Sequence, residues 1–405
     1  MRRDSTFPVK TLLGILIAIG LLFLGISYTD NGTTKPVDED LLRAQANMVQ
    51  EVKGAVEEPG VAAEELSSPS LVSHVKTPDA VQGIYVSAYS FITGSFQKRL
   101  DALLDSTSIN TIVVDIKDAP GIIMYDIGFP HPCIQSSLKK EDLEALIKHY
   151  HDKGIYVVAR IAVFRDACFV KQQTDLAVMD KSGSPWRDKG GNYWLAPHEE
   201  KTREYIRDIA KAVYERGFDE VQLDYIRYPS DGNMSTLRYE YVSTVSASST
   251  AMEKRRATIR DFMSYMRAEL KDIPLSADVF GMVLTNPDDL TIGQHLNDFV
   301  PSIDFISPMI YPSHFPKQWD GIKDTHRSPY QTIYNSTKKG LDRMIPLVGT
   351  STAQTMMRPW IQDFSIYGVQ YNAAEVKAQI KALHDLGVKS FLLWNASNRY
   401  TAGVL

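Results

Sequence analysis

The sequence predicts an α/β fold, a (β/α)8 TIM barrel, from three features of residues 81–405. Short β-branched runs recur eight times, amphipathic stretches of helical period separate them, and several of these stretches end in a glycine. One strand alternating with one helix along the chain is the pattern that builds a closed parallel barrel.

The order of the predicted elements supports a barrel more than an open sheet. The predicted strands are Gly83–Tyr89, Thr111–Lys117, Ile155–Val163, Glu220–Tyr228, Pro274–Gly281, Phe305–Tyr311, Ile345–Thr350 and Ser390–Asn395. The predicted helices are 95–106, 139–153, 199–216, 251–271, 291–300, 328–343 and 373–386, and the eighth helix is missing or reduced to Arg399–Leu405. An open doubly wound sheet is the alternative, but the turn after its first strand would normally be glycine-rich, and residues 88–91 are not.

An apolar segment lies at the N-terminus. Residues 11–29 carry no charge, and a helix over residues 12–24 would be close to the thickness of a bilayer core. Arg2, Arg3 and Lys10 precede the segment and acidic residues follow it, so the positive-inside rule places the rest of the chain outside the cytoplasm. The sequence therefore predicts a membrane anchor over residues 1–29, with a cleaved signal peptide as the alternative.

The segment between the anchor and the barrel is predicted to be a flexible acidic linker. Residues 30–80 contain ten acidic and four basic side chains and no Trp, Phe or Tyr. Such a segment has too little apolar surface to offset the loss of chain entropy on folding. The barrel domain is therefore predicted to span residues 81–405, on the periplasmic side or at the cell surface.

Composition and motifs exclude several classes of function. The net charge of −5 offers no basic field for nucleic acid, and no phosphate-binding loop, nucleophile elbow or H-E-x-x-H motif is present. We therefore expect no nucleic-acid partner, no cofactor and no metal. The two cysteines, Cys133 and Cys168, follow the second and third predicted strands, and in an oxidising compartment we expect them to pair.

Polar residues at the carboxyl ends of the strands are the candidates for catalysis, because barrel enzymes place their active sites there. Asp224 and Asp278 occupy equivalent ends of adjacent predicted strands, a placement that suits the paired carboxyls of retaining or inverting glycosidases. Each aspartate could instead have a structural role. Asp224 could form an ion pair with Arg160 or Arg227, and Asp278 could cap a helix or a loop. Asp115 is either a third acid or the counter-ion of Lys117.

The tryptophans suggest a sugar ligand. Trp186, Trp194, Trp319, Trp360 and Trp394 all fall at predicted strand ends or in the loops that follow them. Aromatic faces in a cleft are surfaces on which pyranose rings stack, although Trp186 and Trp194 could instead fill the long 165–198 loop. The candidate substrate-binding residues are Asp115, Lys117, Arg160, Trp194, Arg227, Tyr311, Trp394 and Asn395.

Four segments carry a family resemblance. Residues 113–118, 217–229, 306–314 and 394–397 resemble a family of bacterial glycoside hydrolases with a TIM barrel, over about 81–397. The resemblance implies a distant similarity to the α-amylase-like barrel glycosidases, in which Asp224 would be the nucleophile and Asp278 the acid/base. The sequence departs from true amylases in three ways. It has Asp278 where they have Glu and Gln222 where they have Arg, and it has no acidic residue on the seventh strand.

We therefore expect a membrane-tethered, extracytoplasmic glycoside hydrolase that cleaves O-glycosidic bonds in an envelope or extracellular polysaccharide. Its expected contacts are the glycan substrate and, through residues 11–29, the lipid bilayer. A catalytically weak barrel that binds glycan is the first alternative. A metal-dependent hydrolase that uses Asp115, Asp224 and His314 is the second.

Protease added to intact cells whose outer layer has been opened is expected to digest the barrel, because the charge pattern places it outside the cytoplasmic membrane. Immunoblotting of residues 81–405 measures this, with a cytoplasmic protein as the control for membrane integrity. Full protection of the barrel would contradict the predicted topology.

Overall fold

A computed structural model describes residues 73–128 and 131–404. The described residues divide into two compact units. The smaller contains Arg187–Gly191 and Asp231–Asn233, and the larger contains all the other described residues. The predicted anchor and nearly all of the predicted linker lie outside the described residues, and both assignments stay predictions. Among the described helices, none has the length and apolarity needed to span a bilayer.

Eight parallel strands of the larger unit close into a barrel, as the sequence predicts. These strands are β1 (Gln82–Val86), β2 (Thr111–Lys117), β5 (Tyr156–Ala162), β6 (Glu220–Asp224), β7 (Leu275–Phe280), β8 (Phe305–Met309), β9 (Trp360–Gln362) and β10 (Phe391–Trp394). Each pairs with the next, and β10 pairs with β1 to close the sheet. Two short strands, β3 (Ile123–Tyr125) and β4 (Ile134–Leu138), extend the sheet from β2 outside the barrel.

Helices cover the outside of the barrel. The described helices are α1 (Ala88–Ile92), α2 (Gly94–Ser106), α3 (Lys140–Asp152), α4 (Ala167–Gln172), α5 (Glu200–Glu215), α6 (Ala251–Glu269), α7 (Leu296–Phe299), α8 (Pro329–Val348), α9 (Thr350–Met356) and α10 (Ala373–His384). Capping boxes begin α6 at Thr250 with Glu253, and α10 at Asn372 with Glu375. The apolar faces of these helices and the outward side chains of the strands form the main core.

The predicted seventh strand, Ile345–Thr350, is wrong. Residues 345–348 are the last turn of α8, which ends at Gly349 with a φ of 81°. Leu347 of this run is exposed, so the run does not have the buried surface of a central strand. The seventh strand is β9, a three-residue strand that is too short to show periodicity.

The last residues of the described chain, 399–404, form a loop and no helix, so of the two alternatives for the eighth helix they fit the one in which it is missing. Side chains tie this loop to the first strand and to the residue that follows β9. Asn398 Nδ2 donates to the Tyr85 carbonyl at 3.1 Å, and the Tyr400 hydroxyl donates to the same oxygen. Asp363 accepts the backbone N–H of Thr401 at 2.9 Å.

The predicted disulfide between Cys133 and Cys168 is confirmed, and it joins the segment before β4 to α4. A buried ion pair lies on the same side of the barrel, with Lys117 Nζ 2.9 Å from Asp166 Oδ2. Asp166 also accepts the N–H of Phe169 at 2.7 Å as the N-cap of α4. Because Gly121 has no side chain, the Asp166 carboxyl can lie against its backbone. A Cβ at this position would lie 1.9 Å from Asp166 Oδ1.

Replacing Lys117 by Met is expected to destabilise the fold by about 3–5 kcal/mol, because it leaves the Asp166 carboxylate buried without its cation. Denaturant titration measures the change. The control is Lys148→Met, which breaks an exposed ion pair with Asp152 and should have little effect. Equal effects of the two substitutions would contradict this account of the buried pair.

Candidate active site

One arginine joins carboxyl groups from three strands inside the mouth of the barrel. Arg160 of β5 donates from Nη1 to Asp115 Oδ1 on β2 and from Nη2 to Asp224 Oδ2 on β6. Its Nε lies 3.4 Å from Asp278 Oδ2 on β7. All four side chains are buried. The predicted residues Asp115, Arg160, Asp224 and Asp278 therefore form one cluster.

Strand register explains this cluster. Asp115 and Arg160 are direct partners between β2 and β5. Leu223 pairs with Ala277, so Asp224 and Asp278 lie side by side at the ends of adjacent strands. Because neighbouring strands are about 4.8 Å apart, the two aspartates start from backbone positions at that separation. The sequence prediction that they would be neighbours is confirmed at the level of the backbone register.

Backbone geometry orients the Asp224 carboxyl. Asp224 is the last residue of β6, and its Oδ1 accepts the N–H of Tyr225 at 2.5 Å. Tyr225 has a φ of 55°, in the left-handed region that a bulky residue rarely adopts. Such a conformation costs about 1–3 kcal/mol, and it persists only where the surroundings enforce it. One oxygen of Asp224 is thus held by the main chain and the other by Arg160.

Asp278 has a different environment from Asp224. Its Oδ1 accepts the indole N–H of Trp360 at 2.8 Å. Burial raises the pKa of Asp278 well above its ordinary value, and the charge of Asp224 raises it further, against the opposing effects of Arg160 and Trp360. Asp278 is therefore suited to carry a proton at a pH where ordinary carboxyls are ionised.

Asp115 is held as a partner of Arg160. The Tyr85 hydroxyl donates to Asp115 Oδ2 at 2.5 Å, while Asp115 Oδ1 accepts from Arg160. Burial and the charge of Asp115 raise the pKa of Tyr85 well above its ordinary value, so Tyr85 stays a hydrogen-bond donor. Of the two roles expected for Asp115, the counter-ion role applies to Arg160 and not to Lys117, which pairs with Asp166.

Aromatic rings complete the wall of the mouth. Trp394 lies 4.2 Å from Tyr85 and 6.4 Å from Tyr311 between ring centroids. The Arg160 guanidinium lies over the Trp394 ring at 5.5 Å. Of the predicted aromatic contacts, Trp394 and Tyr311 therefore lie at the candidate site.

The expectation that the tryptophans expose stacking faces is wrong for four of the five. Trp186, Trp194, Trp360 and Trp394 are only 3%, 1%, 1% and 9% exposed. Trp360 lies in β9 instead of in a loop, because the sequence analysis misplaced the seventh strand. Trp194 packs under Arg227, whose guanidinium lies 4.8 Å from its ring centroid, and this supports the alternative that Trp194 fills its loop.

Three further predicted substrate-binding residues have structural contacts. Lys117 is completely buried and its Nζ donates to the Ala162 carbonyl at 2.5 Å, so it is not presented to the mouth. Asn395 shapes its own loop, since its Nδ2 donates to the Asp363 carbonyl at 2.5 Å. Arg227 is buried and its Nη1 donates to Ser230 Oγ at 3.0 Å.

Two contacts of the site were missed by the sequence analysis. Tyr85 lies inside the predicted first strand, two residues from Gly83, and inward alternation from the strand pattern could have identified it. Trp360 gave no such signal, because its strand has only three residues. Its role as a donor to Asp278 depends on the closure of the barrel.

The arrangement does not correspond to the metal-dependent alternative. Within residues 73–128 and 131–404, no three His, Cys, Asp or Glu side chains are grouped so that they could hold a metal ion. His314 is exposed, and its Nδ1 lies 2.9 Å from Ser313 Oγ. Asp115, Asp224 and His314 therefore do not form a ligand set.

The chain matches the sequence model of one protein family. The family "DUF4015", described as "Putative glycosyl hydrolase domain", matches residues 83–400, which include the Arg160 cluster and all the barrel strands except Gln82, the first residue of β1. The chain belongs to this family. The family resemblance expected from the sequence is thereby confirmed, and the protein is an enzyme of the glycosyl hydrolase type.

Solved structures similar to this family member include an uncharacterised protein and two named for glycosidases. A hypothetical protein from Ruminiclostridium thermocellum shares 30% identity, with 48% of this chain and 97% of that chain covered and a TM-score of 0.43. An α-galactosidase from Thermus thermophilus, in complex with stachyose, shares 14% identity over 82% of this chain and 64% of its own, with a TM-score of 0.49. The C-terminal domain of a "putative chitinase" from Desulfitobacterium hafniense shares 10% identity over 78% of this chain and 94% of its own, with a TM-score of 0.49. A comparison with curated proteins finds no match.

Replacing Trp360 by Phe is expected to raise the pKa of Asp278, because the indole N–H stabilises the ionised carboxylate and the phenyl ring has no donor. Titration of carboxyl-carbon NMR signals in protein labelled at aspartate measures the shift, with Trp319→Phe as the control away from Asp278. An unchanged or lower pKa would contradict the assigned hydrogen bond.

Proposed function

We propose that the protein hydrolyses O-glycosidic bonds in a polysaccharide of the cell envelope or its surroundings, with Asp224 as nucleophile and Asp278 as acid/base. The observation that carries the proposal is the placement of Asp224 and Asp278 as neighbours in strand register, with the pKa of Asp278 raised by burial and by the charge of Asp224. Glycosidases need one ionised and one protonated carboxyl across the scissile bond.

The register favours a retaining mechanism. Carboxyls that project from adjacent strands start about 4.8 Å apart, which is close to the 5–5.5 Å separation of retaining enzymes and below that of inverting enzymes. Asp278 would give its proton to the leaving-group oxygen while a carboxylate oxygen of Asp224 bonds to the anomeric carbon. Asp278, now ionised, would then take a proton from the water that hydrolyses the glycosyl ester.

Arg160 positions the nucleophile in this proposal. Its Nη2 donates to Asp224 Oδ2 and so holds one oxygen of the carboxyl group. True amylases have an Arg two residues before the nucleophile, where this chain has Gln222. Arg160 is the register partner of Gln222 on β5, so it supplies a guanidinium from the neighbouring strand.

The proposed location is extracytoplasmic. It rests on the uncharged segment 11–29 with basic residues before it and acidic residues after it. The disulfide between Cys133 and Cys168 supports the location, because such bonds persist in oxidising compartments. In this proposal the bilayer holds the anchor, and the barrel reaches polysaccharide outside the cytoplasmic membrane.

A glycan-binding barrel with weak catalysis is the second candidate. It is favoured by the close engagement of Asp224 with Arg160 and by the near-complete burial of Asp278. A carboxylate held in this way is a weaker nucleophile than a free one. The two candidates differ in whether substitution of Asp224 removes a turnover that the parent protein shows.

Asp224→Asn is expected to lower kcat on polysaccharide about 10³-fold or more, because the amide cannot act as the nucleophile. Asp278→Asn is expected to impair polymer hydrolysis while largely sparing the first step on an aryl glycoside, whose leaving group hardly needs protonation. Reducing-end release and release of the aryl group measure these effects.

The matched control is Asp152→Asn, which changes an exposed carboxylate at the end of α3 that pairs with Lys148. It should stay close to the parent in both assays. If Asp224→Asn and Asp278→Asn leave polymer hydrolysis within about threefold of the parent, the pair is structural, and Asp115 with Asp118 becomes the next pair to test.

A further inference from the structure

Two aromatic side chains are exposed on the catalytic side of the barrel. The large apolar residues exposed in the described chain are Tyr89 at 39%, Leu347 at 49% and Tyr367 at 64%. Tyr89 lies in α1 after β1, and Tyr367 lies in the loop after β9. Segments that follow barrel strands lie at the carboxyl-terminal face, where barrel active sites are found.

Tyr367 occupies the tip of a tight hairpin. Ile366 and Val369 exchange two backbone hydrogen bonds, of 3.3 and 3.0 Å, around Tyr367 and Gly368. Both central residues have positive φ, 51° for Tyr367 and 70° for Gly368, as in a type I′ turn. Asn and Gly are the usual residues in this turn, and a tyrosine there is strained. The local conformation therefore does not account for a tyrosine at this position.

The base of the hairpin is packed against the candidate site. Phe364 lies 5.7 Å from Tyr311 between ring centroids, and Tyr311 lies 6.4 Å from Trp394 of the mouth. At the other end, the hydroxyl of the buried Tyr371 donates to the His326 carbonyl at 2.9 Å. The hairpin of residues 364–371 is thus fixed at both ends and holds the Tyr367 ring out into solvent.

The surroundings of Tyr367 favour a sugar ligand over a protein. Its exposed neighbours are Ser365, Gly368 and Gln370, so the ring does not belong to a broad apolar patch. Stable protein interfaces bury about 800 Å² on each partner around apolar anchors, which a single ring does not supply. The face of a pyranose directs C–H bonds at the electron-rich face of an aromatic ring, while its hydroxyl groups can bond to polar neighbours.

We propose that Tyr367 is a glycan-binding subsite outside the catalytic mouth, which holds a distant sugar unit of a polymer chain. The inference deepens the proposed function and rests on it. Tyr367 then contributes to the binding of polysaccharide and not to bond cleavage. Short substrates that occupy only the mouth do not reach it.

The test compares three variants of the full chain purified in detergent. Tyr367→Asn removes the ring and creates an Asn-Gly turn, which suits the backbone and should not lower the melting temperature. Tyr367→Phe keeps the ring. Leu347→Ser is the matched control, because it removes an exposed apolar side chain at the end of α8, on the opposite side of the barrel.

The probes are amylose, chitin, galactomannan and purified peptidoglycan, with binding measured by affinity electrophoresis or co-sedimentation. We expect Tyr367→Asn to bind the preferred polymer about 2- to 12-fold more weakly, the range for an aromatic stacking contact. Tyr367→Phe and Leu347→Ser should bind like the parent. All three should retain parental kcat on p-nitrophenyl glycosides.

Two outcomes separate this inference from the proposed function. Parental polymer binding by Tyr367→Asn overturns the subsite, even where Asp224→Asn abolishes hydrolysis. Weakened binding by Tyr367→Asn in a protein that shows no hydrolysis supports the subsite and overturns the hydrolase proposal. A parent protein that binds none of the four polymers overturns the subsite as well.

Discussion

The contact of Arg160 with Asp115, Asp224 and Asp278 is the interaction on which the rest of the site depends. Three carboxyl groups around one guanidinium place an excess of negative charge in a buried region. Burial of unpaired charge is costly, and protonation of one carboxyl reduces this cost. Burial raises the pKa of Asp278, which lies deepest of the three, well above its ordinary value, and the charge of Asp224 raises it further.

A second buried cluster lies nearer the amino ends of the strands and supports the Arg160 cluster. Glu220, at the start of β6, pairs with Arg358 at 2.8 and 2.9 Å and accepts from Ser276 Oγ at 2.6 Å. The Tyr156 hydroxyl also donates to Glu220, at 3.1 Å. The barrel interior therefore holds one ion-pair layer near the amino ends of the strands and another at the carboxyl ends. The lower layer fixes the strands that present Asp224 and Asp278.

The aromatic residues divide into two groups with different roles. Trp194 and Trp360 are both buried. Trp194 packs under Arg227, and the indole N–H of Trp360 donates to Asp278. Tyr311 and Trp394 form the wall of the mouth, and Phe364 connects this wall to the hairpin that carries Tyr367. The rings that stiffen the site are thus distinct from the ring that is presented to solvent.

The sequence by itself determined the barrel, seven of its eight strands and the four residues of the Arg160 cluster. Strand and helix periodicity are local properties, and the carboxyl ends of parallel strands always meet at one face. Only the tertiary structure decided the seventh strand, the partner of Lys117 and the burial of the tryptophans. Closure of the barrel brings Trp360 to Asp278, and a shift in register after Asp115 accompanies the pairing of Lys117 with Asp166. These contacts join residues far apart in the chain, and no local pattern encodes them.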